Sequence, residues 1–362
     1  MKLQLRSTLA VLLVSSLVMG CGGDSTDVHG PSTLGRGINM GNYLEADGHE
    51  GAWTGERLID EENDFPLIRA AGFESVRIPI RWSDHASTTG PEYLIDADFL
   101  ARVKEVVDGA IAAGLKVVIN THHYTEMMDG PVESLPGHRA RLAAIWDQIA
   151  KAFPVSSYPA DTLVFELLNE PNGRVGYSQW NDIIEELTNV LWTDNAATQT
   201  GRKIMVGTAN WGGPTGLQQL VLPRACNPGN TIITIHWYEP FHFTHQGAEW
   251  VAGSDAWIGT RWTGTAADKA ALLTLLDTVT FWNSQKGRRF EIYVGEFGAY
   301  GAYAEPEDRR AWTAFVAREA EARNMSWAYW EFDQGFGAYD RDNTRWRPEI
   351  IEALIPVEPP PQ

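Results

Sequence analysis

Two cysteines in 362 residues, Cys21 and Cys226, provide no disulfide framework. Positive charge is scarce as well. With 29 basic against 47 acidic residues the formal net charge is −18, which repels nucleic acid and anionic lipid. The apolar run Leu9 to Met19, interrupted by Ser15 and Ser16, is too short for a comfortable membrane span. A phosphate loop is lacking too: Gly35-Arg36-Gly37-Ile38-Asn39-Met40-Gly41-Asn42 places its glycines inside a strand pattern and opens no helix, which argues against a dinucleotide site. Apolar residues, in contrast, are plentiful at 44%, so disordered and collagen-like chains are excluded. Fifteen Trp, each a large apolar face with one N–H, suit neutral, hydroxyl-rich ligands. The length fits two domains of about 150 residues or one large α/β barrel.

Lys2 and Arg6 followed by the short apolar run form a secretory signal, residues 1–20, which lies outside the fold. Its end, Leu17-Val18-Met19-Gly20-Cys21, resembles a lipoprotein cleavage box in which Cys21 is lipidated; the alternative is ordinary cleavage beside an incidental Cys. Removing the signal takes away Lys2 and Arg6 and carries the formal charge from −18 to −20. Residues 21–33 read as a flexible tether. The expected product is exported, as an outer-membrane or cell-surface lipoprotein or else secreted or periplasmic, and monomeric. With Cys21 lipidated, Cys226 is a packed thiol without a catalytic signature around it.

From residue 34 to 355, β-branched runs alternate with helix-period segments. Strands are expected at 35–40, 75–80, 116–121, 163–169, 203–209, 232–238, 291–297 and 326–332. Amphipathic helices are expected at 99–113, 139–153, 180–192, 266–282 and 309–323. Eight repeats without a break in composition imply a single α/β domain, a closed (β/α)8 TIM barrel. A short Pro-rich tail, 356–362, follows, and no appended binding module is expected.

The strands are apolar in their bodies and polar at their ends: Asn42 and Glu45 after the first, His122 and His123 after the third, Asn169 and Glu170 after the fourth. His236 and Tyr238 end the sixth, Glu296 the seventh and Trp330 the eighth. Barrel enzymes build their sites on that face. Helix caps explain one or two such positions, not six. Glu170 before Pro171, and Glu296 between Gly295 and Gly298, can face each other across the mouth as the acid and the nucleophile of a retaining glycosidase. Arg77, buried in the second strand, is expected to pair with Glu296 and keep it ionised, leaving Glu170 as the acid. Glu166, four residues before Glu170, reads as a carboxylate of the barrel interior.

The stretch 35–42, Asn169-Glu170-Pro171, Gly295-Glu296-Phe297-Gly298 and the segment 239–250 resemble glycoside hydrolase family 5 endoglucanases over essentially the whole of Leu34 to Ile355. The resemblance implies a TIM barrel without metal or cofactor, Glu170 as acid/base and Glu296 as nucleophile. It also implies that Arg77, His122, Asn169, His236, Tyr238 and Trp330 surround the cleaved sugar. On this reading Asn169 bonds the sugar 2-hydroxyl, His122 and His123 hold other hydroxyls, Tyr238 donates to the nucleophile and Trp330 is a stacking floor. Asn42, Glu45, His245 and Trp250 are placed along the cleft. Trp53, Trp82, Trp211 and Trp237 are candidate platforms, at least half of them better read as core. The substrate expected is a neutral β-linked polysaccharide, a cellulose-type or mixed-linkage 1,4-glucan, with mannan, glucomannan or xyloglucan as alternatives. Two other classes remain: a catalytically dead carbohydrate-binding barrel, and a metallohydrolase using His122, His123, His236, His242 and His245. The latter lacks the H-x-H pair that such barrels carry on the first strand.

Overall fold

The computed structural model describes residues 32–356. The leader 1–20, Cys21, the tether as far as residue 31 and the tail after residue 356 lie outside the described residues. Eight strands close into one barrel: β1 Arg36–Asn39, β2 Ser75–Ile78, β3 Lys116–Asn120, β4 Leu163–Glu166, β5 Ile204–Val206, β6 Thr231–Trp237, β7 Glu291–Phe297 and β8 Ser326–Tyr329. All neighbours run parallel, and β8 pairs back onto β1. The fold is the single-domain (β/α)8 barrel.

Alternation along each strand divides the core in two. Outward residues such as Val76 and Ile78 pack beneath the helices in the large core. Inward, Leu34, Val118, Val164, Met205, Ile232, Tyr293 and Ala328 form a separate apolar floor. One layer higher the interior turns polar, with Asn39, Arg77, Asn120 and Glu166 all buried. An apolar floor beneath a polar layer fixes which end of the barrel can carry chemistry.

Helices Ala97–Ala112, Leu135–Ala152, Tyr177–Asn189, Ala266–Ser284 and Pro306–Glu321 occupy the expected segments. Two local caps set their starts: Asp96 accepts the N–H groups of Asp98 and Phe99, and Thr265 and Asp268 form a capping box. Helices Asp64–Ala70 and Pro348–Leu354 were not expected, because seven residues are too few for a period to show. Between β5 and β6 a short 3₁₀ turn, Pro214–Gln219, takes the place of a helix.

Strand ends and the tether need correction: the second strand ends at Ile78, the fifth at Val206 and the eighth at Tyr329, each short of the expected end. The fourth strand ends at Glu166 rather than 169, although the Leu167 and Asn169 N–H groups still reach Met205 O at 3.1 Å and Thr121 O at 2.9 Å. The expected tether also ends earlier. Ser32 Oγ lies 2.9 Å from Ser326 Oγ, and the Thr33 N–H donates to Glu291 Oε1 at 2.7 Å, so both residues belong to the barrel's lower edge.

Candidate active site

Arg77, fully buried on β2, organises the polar layer. Its Nε and Nη2 donate to Glu166 at 2.6 and 3.0 Å, while Nη1 donates to Glu296 Oε1 at 2.7 Å and to Asn39 Oδ1 at 2.9 Å. A further bond from Nη2 reaches Asn169 Oδ1 at 2.7 Å, which leaves the Asn169 amide NH2 free to donate elsewhere. The expected Arg77–Glu296 pair is present, and Glu166 is the guanidinium's second carboxylate. Asn39 and Asn120 went unremarked in the sequence. Asn39 ties Arg77 to Gly295 O at 2.9 Å, and its inward parity two residues after Gly37 is the signal that could have found it.

Glu296 reaches this layer through a bulge. Ile235 faces Val294, but His236 faces Glu296, so β7 carries one extra residue, Gly295. Gly295 and Glu296 then both turn inward. A Cβ at Gly295 would stand 2.5 Å from Thr234 Oγ1 and 3.2 Å from His236 Nε2, so only glycine fits. Glu296 Oε2 accepts from Tyr238 Oη at 2.9 Å and lies 3.5 Å from His236 Nδ1. Glu170 follows β4 in the left-handed region, φ 44°, which breaks the alternation that the sequence implied between it and Glu166. Its Oε1 lies 2.7 Å from His236 Nδ1.

Around this pair, His122 stacks on Trp330 at 6.0 Å between ring centres and meets His123 edge-on at 4.3 Å. Asn120 Oδ1 accepts the Ile80 N–H, so its amide faces His122 Nδ1 at 3.0 Å. That assigns the His122 proton to Nε2, as a donor. Trp330 lies against Gly41, where a Cβ would come within 2.8 Å of the indole. His245 stacks on Phe241 at 4.1 Å and meets Tyr238 at 4.9 Å, while Trp250 is exposed beside it.

Glu45 departs from expectation. It is fully buried, and its carboxylate accepts the N–H groups of Asn42 and Tyr43, so it holds the β1 loop instead of lining the cleft. Asn42, at φ 74°, remains partly exposed on that loop. Of the candidate platforms, Trp82 and Trp237 are core, and Trp53 and Trp211 are exposed. Cys226 is a half-buried thiol that burial pushes up to about 11.

Burial dominates the electrostatics. It lifts the Glu296 carboxyl above the usual carboxylate range, so the pairing with Arg77 and His236 offsets burial only in part, where the sequence led us to expect that Arg77 would hold this group ionised. It works to lower His236, but the carboxylates of Glu296 and Glu170 reverse it and the imidazole stands above its usual value. His122 is driven well below its usual value by burial and then by His123, so it is neutral. Burial and the Glu296 carboxylate keep Tyr238 protonated as a donor.

Glu170, His236 and Glu296 each offer one ligand atom within 4.8 Å of the others, the arrangement among the described residues that could take a metal ion. Its donors are already engaged: His236 Nδ1 on Glu170, and Glu296 Oε1 on the Arg77 cation. A cation would have to displace the first contact and share Glu296 with the second.

A family profile described as Cellulase (glycosyl hydrolase family 5) matches residues 35–335. Endoglucanase H of Acetivibrio thermocellus is 32% identical over 328 residues, which are 89% of this chain and 33% of that protein. Endoglucanase A of Ruminococcus albus is 27% identical, covering 94% of this chain and 96% of that protein. The chain thus spans a third of the first relative and nearly all of the second. Among solved structures, endoglucanase Cel5A of Thermotoga maritima superposes with a TM-score of 0.80 at 46% identity, over 89% of this chain and 97% of that one. With the profile spanning the barrel and both rim glutamates in place, the chain belongs to the glycosyl hydrolase family 5 cellulases and is a glycoside hydrolase.

Proposed function

We propose that the chain is a retaining endo-1,4-β-glucanase with Glu296 as nucleophile and Glu170 as acid/base. The observation that carries this reading is the separation of the two carboxylates: an oxygen of each lies within 4.8 Å of the other. Retaining enzymes need about 5–5.5 Å between carboxyl groups, whereas inverting enzymes need about 6.5–9.5 Å to admit a water. As Glu170 gives its proton to the glycosidic oxygen, a Glu296 oxygen bonds the anomeric carbon and the C–O bond to the leaving sugar breaks. Glu170, now a carboxylate, takes a proton from water; the water oxygen bonds the same carbon and the ester C–O bond breaks, restoring both glutamates. In this scheme Asn169 donates to the sugar 2-hydroxyl, His122 Nε2 donates to another hydroxyl, and Trp330 lies under the reacting sugar.

Hydrolysis of a soluble mixed-linkage β-glucan, with and without chelator, tests the class. Chelator-resistant activity is expected, and an enzyme silent in every condition would favour the binding-only barrel. Glu296→Gln should abolish turnover with the fold intact. NMR of the first-formed product should show the β anomer; the α anomer overturns the mechanism. Thermotoga maritima Cel5A has been solved with cellobiose and with mannotriose, which supports a second reading, a cleft that also accepts mannan or glucomannan. A panel of glucan, glucomannan, mannan and xyloglucan decides between them. The lipoprotein-like end of the leader supports an exported, lipid-anchored form.

A further inference from the structure

The Arg77 guanidinium stands between two buried carboxylates on opposite sides of the barrel. Glu166, 1% exposed on β4, takes two of its N–H groups, at 2.6 and 3.0 Å, and Glu296 takes one at 2.7 Å. Its further hydrogen-bond partner is the Asn120 amide at 3.5 Å. A buried carboxylate must be paired, and Glu166 draws its pairing from the same guanidinium that holds Glu296. We infer that Glu166 is a positioning residue for the reaction: by claiming one side of the Arg77 fork it limits how firmly that cation holds Glu296. The inference rests on Glu296 being the nucleophile.

The chemistry follows from charge. Glu296 starts each cycle as an anion and loses that charge on forming the glycosyl ester. A cation paired with Glu296 alone would stabilise the starting anion more than the transition state and slow the first step. The same cation would make the carboxylate a better leaving group and speed the second step. Sharing Arg77 with Glu166 moderates both effects. The other groups facing Glu296 are Glu170 after β4, His236 on β6, Tyr238 just beyond its end, and Glu45 of the β1 loop, and Glu166→Gln alters none of them.

Glu166→Gln keeps the shape and an acceptor oxygen but removes the charge. On an aryl cellobioside the acidic limb of kcat/KM should move down by about one pH unit, the low end of what an unshared opposite charge does to a carboxyl. kcat/KM at the plateau should fall about tenfold, while the enzyme trapped as a 2-deoxy-2-fluoro ester should reactivate faster than wild type. Lost packing would lower both rates together and leave the limb in place. Should Glu166→Gln fail to fold, Glu166→Asp carries the test: its shorter carboxylate withdraws from the fork and should shift the limb in the same direction by less. A limb that stays put, or a reactivation that slows, overturns the inference. The fluoro-ester must map to Glu296. If it maps elsewhere the nucleophile assignment fails; if it maps there and the limb is unmoved, only the role of Glu166 fails.

Discussion

His123 and His245 sit in the rim with their imidazoles pushed down to about 4, chiefly by burial. The folded protein therefore keeps both neutral as pH falls, while the unfolded chain takes up protons near 6.5. The unfolded state binds more protons throughout that window, so stability is intact above about pH 6.5 and lost as pH falls towards 4. His245 alone can cost up to about 3 kcal/mol below pH 4. Glu45 and Glu331 act with the opposite sign: burial lifts both to about 8, so their contribution is present below 4.5 and lost as pH rises through 8. His245→Gln should flatten the fall in Tm between pH 6.5 and 4 relative to wild type, because the glutamates are common to both proteins. An unchanged slope would mean that His245 titrates normally. At this scale Glu170, Glu296 and Arg77 were legible as a cluster, because an apolar strand has little structural use for a terminal carboxylate and a cation in its body needs a partner. It could not disclose Glu45: the backbone N–H groups that consume its carboxylate depend on how the Asn42 loop closes.

Among the elements, β7 shows how little of a strand's geometry its letters carry. The run 291–297 reads as a regular strand and is one from end to end, yet it contains the one-residue slip that turns Glu296 inward. Gly295 alone does not announce a bulge, since a strand glycine also fits a close approach to ligand. Gly295→Ala places a methyl 2.5 Å from Thr234 Oγ1 and close to His236, the partner of Glu170. Overpacking of this kind costs about 1–3 kcal/mol. Activity should fall at least tenfold as the ring shifts. Adding Thr234→Ala should recover part of the stability in a double-mutant cycle, because the shortest clash is with that hydroxyl. Strict additivity of the two changes would show that the methyl is accommodated elsewhere. Strand order was legible because eight apolar strand runs recur with helix-period segments between most of them, whereas the ends of β4, β5 and β8 were not, because rim residues leave the ladder to serve the site.

At the scale of the whole molecule, the chain enters the barrel at the face opposite the site. Thr33 and Ser32 are bound to Glu291 and Ser326, the first residues of β7 and β8, while Glu296 and Trp330 lie at or beyond the far ends of the same strands. Seven residues of β7 at about 3.3 Å each put roughly 20 Å between the two faces. A lipid on Cys21 would then hold the lower face towards the membrane and leave the cleft facing outwards, where a long polymer can cross it. For a chain anchored in that way, the net charge of −18 would add repulsion between the barrel and anionic headgroups. In a bacterial host the wild-type chain should fractionate with membranes and Cys21→Ala should be released. With the open end held away from the bilayer in that arrangement, the two forms should hydrolyse soluble β-glucan with kcat/KM within about twofold of each other. Wild-type protein in the soluble fraction would refute lipidation. A membrane form tenfold slower than the released variant would refute the outward-facing cleft instead, since only a mouth shadowed by lipid would lose access to the polymer.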